Sequence, residues 1–346
     1  LPELVRSTAK ATAPDRAALG KISDFVLGLL VKFVETEGNL ELIMTGLQSM
    51  KQVLNYLCCD WSALMKSAVG VSEERKKAIF DVNSLLPCTS IRSLNEAQMQ
   101  ALTDCSRVVL KDSLQRRAVL RAEAAVSGSS SSGHGGDSTL LRDEDDAADE
   151  QLFMKDSMEL HFHVSDLICA IFKTHGDLFM GCYMAHWHEL VQTMTHSFCL
   201  QEDKQLAFSI ISDVVEFGLP ENSPSTEAYL SQAVPGLTTV CSGGSHDSSL
   251  RQTCGYALGL CVRRFPVYFA PHAAMALQGL AVSIATGEDA DEGEAKGPCT
   301  DNCVASVGVI LEEMEKLLQG CQDAALCATL RLIPYHDVWG QWVDYL

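Results

Sequence analysis

Apolar residues recur along most of this chain at three- and four-residue spacing, the period of a helix with one buried face. From Lys21 to Glu37 they fall at Ile22, Phe25, Val26, Leu29, Leu30 and Phe33, and Gly38 ends the run. From Leu40 to Leu57 they fall at Leu42, Ile43, Leu47, Met50, Val53, Leu54 and Leu57. Two such runs joined by a short break predict an antiparallel helix pair. Ser93 to Ala124 predicts a long helix, with Ser93 as its cap and a basic second half from Lys111 to Arg121. Further helices are expected over 153–173, 177–198, 200–217, 225–240, 246–265, 266–286, 298–318 and 321–330. Pro220 closes one of them and Pro235 bends another. Alternating strand patterns are absent.

The stretch Asp203–Phe217 recurs. Setting Lys204, Arg251 and Thr300 in one column gives offsets of 47 and 49 residues. Gln205, Gln252 and Asp301 then coincide, as do Ala207, Cys254 and Cys303, and Ser212, Gly259 and Gly308. A period in this range predicts an all-α fold, an α-solenoid of HEAT repeats in which antiparallel helix pairs stack into a right-handed superhelix. The expected units are 21–58, 93–175, 177–218, 225–265 and 266–318, with a partial one at 321–346. Residues 61–91 stand apart as an insertion. Within 93–175, the Ser/Gly run from Ser127 to Gly136 and the acidic residues Asp143, Glu144, Asp145, Asp146, Asp149 and Glu150 predict a disordered loop over 127–150. The acidic residues serve either as a solubilising insertion or as a screen for a basic partner. The chain starts at Leu1 rather than Met and stops inside an apolar pattern at Leu346, so we expect a piece of a longer protein.

The small residues of the repeat mark places where helix backbones approach, since Gly in a helix costs about 1 kcal/mol against Ala and needs an offsetting contact. The polar residues mark the opposite face. Gln205, Ser209, Asp213 and Glu216 follow helical spacing, and Gln252, Tyr256, Asp301 and Asn302 are their counterparts in the next two units. Any one of these residues taken alone is a solvated position. Side by side on a concave surface they form an acidic, amide-rich groove for an extended basic peptide. The formal net charge of −19 supports basic partners and argues against nucleic acid and anionic membrane. No apolar run approaches the length of a membrane span; Phe25 to Val34 comes nearest.

No catalytic constellation, cofactor motif or phosphate loop emerges. His161 and His163, like His186 and His188, are two residues apart and do not face one another on a helix. Cys299 and Cys303 share a helix face without a third or fourth ligand, so no metal site is expected. The 14 cysteines sit mostly at apolar helical positions, as reduced buried thiols do.

Four stretches in register resemble the karyopherin-β family of nuclear transport receptors, in its importin-5 (importin β-3) branch. They are Val164–Phe172, Asp203–Glu216, Arg251–Gly259 and Asp301–Gly308. The resemblance is best over 153–342 and departs at the 61–91 insertion. It implies a non-enzymatic import receptor shuttling between cytoplasm and nucleus. Cargo with basic nuclear-localisation signals, such as ribosomal proteins or histones, would lie on the concave helices. Phe-Gly nucleoporins would enter clefts between outer helices, and RanGTP would release the cargo, though the family's main Ran contacts lie in repeats not present here. A HEAT-repeat scaffold or regulatory subunit without transport activity is the alternative.

Overall fold

The computed structural model describes residues 13–60, 94–129, 144–196, 199–243, 246–286 and 298–331, with a few isolated residues between 63 and 75 and at 333. The described residues form helices and no strand. The chain divides into two compact units, Leu1–Leu190 and Val191–Leu346.

In the first unit, α1 (Ala13–Thr36) and α2 (Leu40–Leu57) form one antiparallel pair, and α3 (Glu96–Ser129) and α4 (Glu144–Cys182) form a second. The pairs stack layer on layer: α1 packs on α3, and α2 on α4. Leu47, Met50 and Leu54 of α2 and Leu160, Val164, Leu167 and Ile171 of α4 have almost no exposed area, and the two helices pack on each other. Each fully buried aliphatic side chain contributes about 1.5–3 kcal/mol. An aromatic cluster closes the end of α4, where the Phe172 ring lies 4.8 Å from Phe179 and 5.2 Å from Tyr183. The helix is interrupted at His175 (φ −136°, ψ 25°), at the break expected between 173 and 177. It then passes through a π-turn at Tyr183–Trp187, and the division between the units falls inside α5 (His188–Met194).

In the second unit, α6 (Gln201–Asp213) continues through a π-turn at Val214–Gly218. The antiparallel pair α7 (Pro224–Ser242) and α8 (Ser248–Arg264) follows. Next come the short α9 (Pro266–Phe269), a 3₁₀ turn at Ala270–His272, α10 (Ala273–Thr286), α11 (Pro298–Gly320) and α12 (Ala324–Arg331). Again there are two layers: α6, α8 and α11 lie side by side in one, and α7 packs on α10 in the other. The fold is an all-α helical repeat.

Local chemistry explains the helix starts. Asn39 and Asp247 accept hydrogen bonds from the amides of Leu42 and Leu250, at 3.2 and 2.7 Å. At α3 the cap is Asn95, not Ser93. Asn95 Oδ1 accepts from the Gln98 amide at 2.9 Å while Gln98 Oε1 accepts from the Asn95 amide at 2.8 Å, a reciprocal capping box.

Several expectations need correction. Ser127–Ser129 end α3, and Glu144–Glu150 form the first turns of α4 rather than a loop. Acidic side chains suit a helix start, where unpaired amides give a partial positive charge. Asp143 and the rest of the Ser/Gly run lie outside the described residues, as do most of 61–91 and the chain after 333. On α1 the expected packing face is partly turned outward: Phe25 is 67% exposed and Leu29 52%, while Leu27 and Val34 carry the buried ridge. The stretch Pro266–Ala285 is 20 residues long with mean hydropathy 1.3, enough by length and composition to cross a membrane. Half of it is buried in the second unit, on α7 and α11, so packing accounts for its apolarity.

Candidate functional site

The three repeated stretches lie on α6, α8 and α11, which are neighbours in one layer. The contacts between them follow from the small residues. A Cβ built on Gly255 would stand 2.9 Å from the Cys303 sulfur, and one on Gly259 2.8 Å from Ser306 Oγ. Both lie below ordinary van der Waals distance, so α8 and α11 approach closely only because these positions lack a side chain. Ala207, Cys254 and Cys303 are wholly buried, as packing positions should be. Gly308 differs from Gly259, which shares its repeat position: it is exposed, with nothing within 4 Å of a Cβ. It has no further helix of the described chain against it.

The polar positions are brought into one layer but do not form an unbroken stripe. Gln205, Ser209, Glu216, Gln252 and Asn302 are half-buried, and Tyr256 and Asp301 are exposed. Asp213 is buried, at 8% exposure. Helical geometry accounts for this: eight residues at about 100° each bring Asp213 about 80° round from Gln205, toward the interior. The π-turn that begins at Val214 then widens the helix and shifts the phase of Glu216. Ser209 turns its hydroxyl back onto its own helix and donates to the Gln205 carbonyl at 2.9 Å. Gln205, Glu216, Gln252, Tyr256, Asp301 and Asn302 therefore keep accessible surface, while Asp213 does not. Of the acidic stretch, Glu144, Asp145, Asp146, Asp149 and Glu150 belong to the first unit, on α4.

The aligned column Lys204, Arg251 and Thr300 is the feature that pattern reading passed over. All three are buried, at 6, 8 and 5% exposure. Two buried cations thus belong to the layer itself, and both act on His246. His246 Nδ1–H donates to Gln201 Oε1 at 3.3 Å. Burial first, then Lys204 and Arg251, hold His246 below the usual histidine range, while Asp247 opposes them.

Four thiols gather in the same unit. Cys241 of α7, Cys254 of α8, and Cys299 and Cys303 of α11 are all buried. Burial pushes Cys241 up to about 12 and Cys254 well above the ordinary thiol value. Cys299 goes the other way, down to about 6, chiefly through its neighbour Cys303, helped by Ser283 and Arg251 and opposed by burial. Cys303 is raised in return. Ser283 Oγ lies 3.9 Å from the Cys299 sulfur. Among the described residues no group of three or more His, Cys, Asp or Glu is placed to hold a metal ion.

Of the histidines flagged by the sequence, His161 is buried in a polar network between α3 and α4. Arg117 Nη1 lies 2.9 Å from His161 Nδ1, and a guanidinium can only donate, so Nδ1 accepts and Nε2–H donates to Ser113 Oγ at 2.9 Å. His163 instead faces Glu159, at 3.9 Å. His175 Nε2 accepts from the Leu94 amide at 3.1 Å and its Nδ1–H donates to Thr174 Oγ1 at 2.7 Å, which ties the entry of α3 to α4. No local pattern signals the bonds of His161 to Arg117 and Ser113 or of His175 to Leu94, because those partners lie 44, 48 and 81 residues away.

No protein-family model matches this sequence, and no curated protein does. Among solved structures, the chain is similar to the karyopherin Kap121p bound to the SUMO protease Ulp1p, at 16% identity and a TM-score of 0.49, covering 95% of this chain and 27% of that one. It is also similar to Kap121p bound to Pho4p, at 13% identity and a TM-score of 0.35, covering 100% of this chain and 35% of that one. The chain spans about a third or less of the length of these structures. Likeness at this level carries no functional argument, and the assignment of an all-α repeat rests on the helices themselves.

Proposed function

We propose that this chain is the cargo-binding segment of a nuclear transport receptor, and that the layer formed by α6, α8 and α11 holds a basic segment of a partner protein. One observation carries the reading: three helices that repeat in sequence stand side by side and present Gln205, Glu216, Gln252, Tyr256, Asp301 and Asn302 from one layer. Amide and carboxylate groups at helical spacing suit an extended chain, whose backbone takes the amides and whose lysines or arginines take the acids. The net charge of −19 draws such a partner in from a distance. Transport further requires affinity for Phe-Gly repeats and release by RanGTP. Val267 and Met275, 51 and 40% exposed on α9 and α10, offer apolar surface for Phe side chains.

The test is a fluorescence-anisotropy titration of the chain with a Lys/Arg-rich nuclear-localisation peptide, together with retention on Phe-Gly beads. Binding should weaken steeply between low and high salt, because exposed charge pairs are screened over about 8–10 Å at physiological ionic strength. Replacing Glu216 and Asp301 by Lys should weaken it further with folding intact. Salt-independent binding refutes the electrostatic reading. Peptide binding without retention on Phe-Gly beads leaves a helical-repeat scaffold in place of a transport receptor.

A further inference from the structure

We propose that a cavity in the first unit, between α1, α2, α3 and α4, takes a lysine side chain of a bound protein segment. The proposal rests on the reading of the partner as a basic protein, and it adds a second point of attachment in a different part of the chain. The cavity has a volume of about 340 Å³. Its floor is apolar: Val34, Ile43, Phe153 and Leu160 are buried there. Val108 stands at its lining with half its surface exposed.

The polar lining is strongly one-signed. Glu35 and Glu37 come from the end of α1, and Asp104 and Asp112 from α3, one helical turn to either side of Val108, while Arg116 is the only cation of the lining. Two of the carboxylates are engaged. Glu37 Oε1 accepts from the amides of Gly38 and Asn39, both at 2.9 Å, and Asp104 faces Arg107 at 3.6 Å. Among the described residues no cation pairs with Glu35 or Asp112, and both are exposed. The field of Glu35 reaches inward: together with burial, the main cause, it helps push the Cys105 thiol up to about 11. The C-terminal end of α1 adds its partial negative charge at the same place.

An apolar floor beneath two free carboxylates matches a side chain with a long aliphatic stem and a cationic head. Lysine fits better than arginine. An arginine gains most by stacking on an aromatic face, and Arg116 already occupies the Phe153 ring at 4.0 Å. A compact ammonium has no such need and can pair with Glu35 and Asp112 in turn.

The probe is a fluorescein-labelled dodecapeptide of Ser and Gly carrying three lysines, titrated into the 346-residue chain. Two replacements separate stem from head. Norleucine keeps the stem and drops the charge. 2,4-Diaminobutyrate keeps the charge and drops two methylenes, which should weaken binding roughly tenfold if they are buried. The pocket predicts that lysine binds tighter than both, that Glu35→Gln with Asp112→Asn removes its advantage over norleucine, and that Val108→Ser weakens lysine and norleucine alike. All three positions are exposed, so the variants should keep the helical circular-dichroism signal of the parent. Equal binding of diaminobutyrate overturns the pocket in favour of a diffuse charge field. Equal binding of norleucine overturns it in favour of an apolar cleft. If Glu216→Gln with Asp301→Asn abolishes binding while the pocket variants change nothing, the pocket falls and the cargo-binding reading stands. If no peptide binds, both fall.

Discussion

Gly259→Ala, Gly279→Ala and Gly308→Ala make the same chemical change at three helical glycines of the second unit, and the structure predicts opposite outcomes. In a solvent-facing helix interior, Ala is favoured over Gly by about 1 kcal/mol. Gly308 realises that gain, because a Cβ there meets nothing within 4 Å. Gly259 does not, because the new methyl would stand 2.8 Å from Ser306 Oγ, 3.3 Å from its Cβ and 3.6 Å from its Cα. The Ser306 hydroxyl can rotate away, but its Cβ and Cα cannot without moving α11. Gly279 is tighter still: its methyl would lie 2.7 Å from Thr238 Cγ2 and 3.0 Å from the Thr238 carbonyl oxygen, a backbone atom held in α7. Overpacking of this kind costs about 1–3 kcal/mol. Subtracting the propensity gain leaves Gly259→Ala at about 0–2 kcal/mol of destabilisation and Gly279→Ala at the upper end of that range. Gly308→Ala should stabilise by about 1 kcal/mol. Urea unfolding followed by circular dichroism at 222 nm resolves these differences as shifts in midpoint at constant slope. If Gly259→Ala and Gly279→Ala are as stabilising as Gly308→Ala, the helices of each layer are not in the close contact described, and the account of the repeat's small residues is wrong.

Three further outcomes follow from the same geometry. His161→Ala removes one acceptor of the buried Arg117 and the partner of Ser113, so it should destabilise the first unit by about 1–3 kcal/mol, with a matching fall in thermal midpoint; an unchanged midpoint would show the network is not formed. His246 and His272 are both held below the ordinary histidine value of 6.5, mainly by burial, so the unfolded chain takes up protons first as the medium is acidified. Their contribution to stability is therefore present above pH 6.5 and is lost as pH falls below it, and His246→Gln with His272→Gln should flatten that part of the stability–pH curve. Cys241 and Cys254 are buried and held in the thiol form, so iodoacetamide at neutral pH should label the half-exposed Cys169 first; peptide mass mapping shows the order, and early labelling of Cys241 or Cys254 would show that α7 and α8 are not packed as described.

The pattern along the chain carried the helices because their apolar spacing is local: each is determined by neighbours three and four residues away. The repeat carried more, since the column of Ala207, Cys254 and Cys303 identified the layer in which α6, α8 and α11 meet before any contact was known. It failed where one position meets different surroundings. Gly259 and Gly308 share a column, yet α11 lies over the first and nothing in the described chain lies over the second. The polar stripe failed by accumulated phase, which carried Asp213 inward, and by a π-turn that no composition signal announces. What the pattern could not reach at all was long-range polar chemistry. His161 with Arg117, His175 with the Leu94 amide, and the free carboxylates Glu35 and Asp112 over one apolar floor depend on which helices the stacking brings together. A helical repeat is thus legible in its scaffold, where the selection is for spacing, and opaque in its binding surface. A ligand sees side chains contributed by helices that are neighbours in the stack and strangers in the sequence, so the residues that recognise a partner sit where periodicity says only that a position is polar.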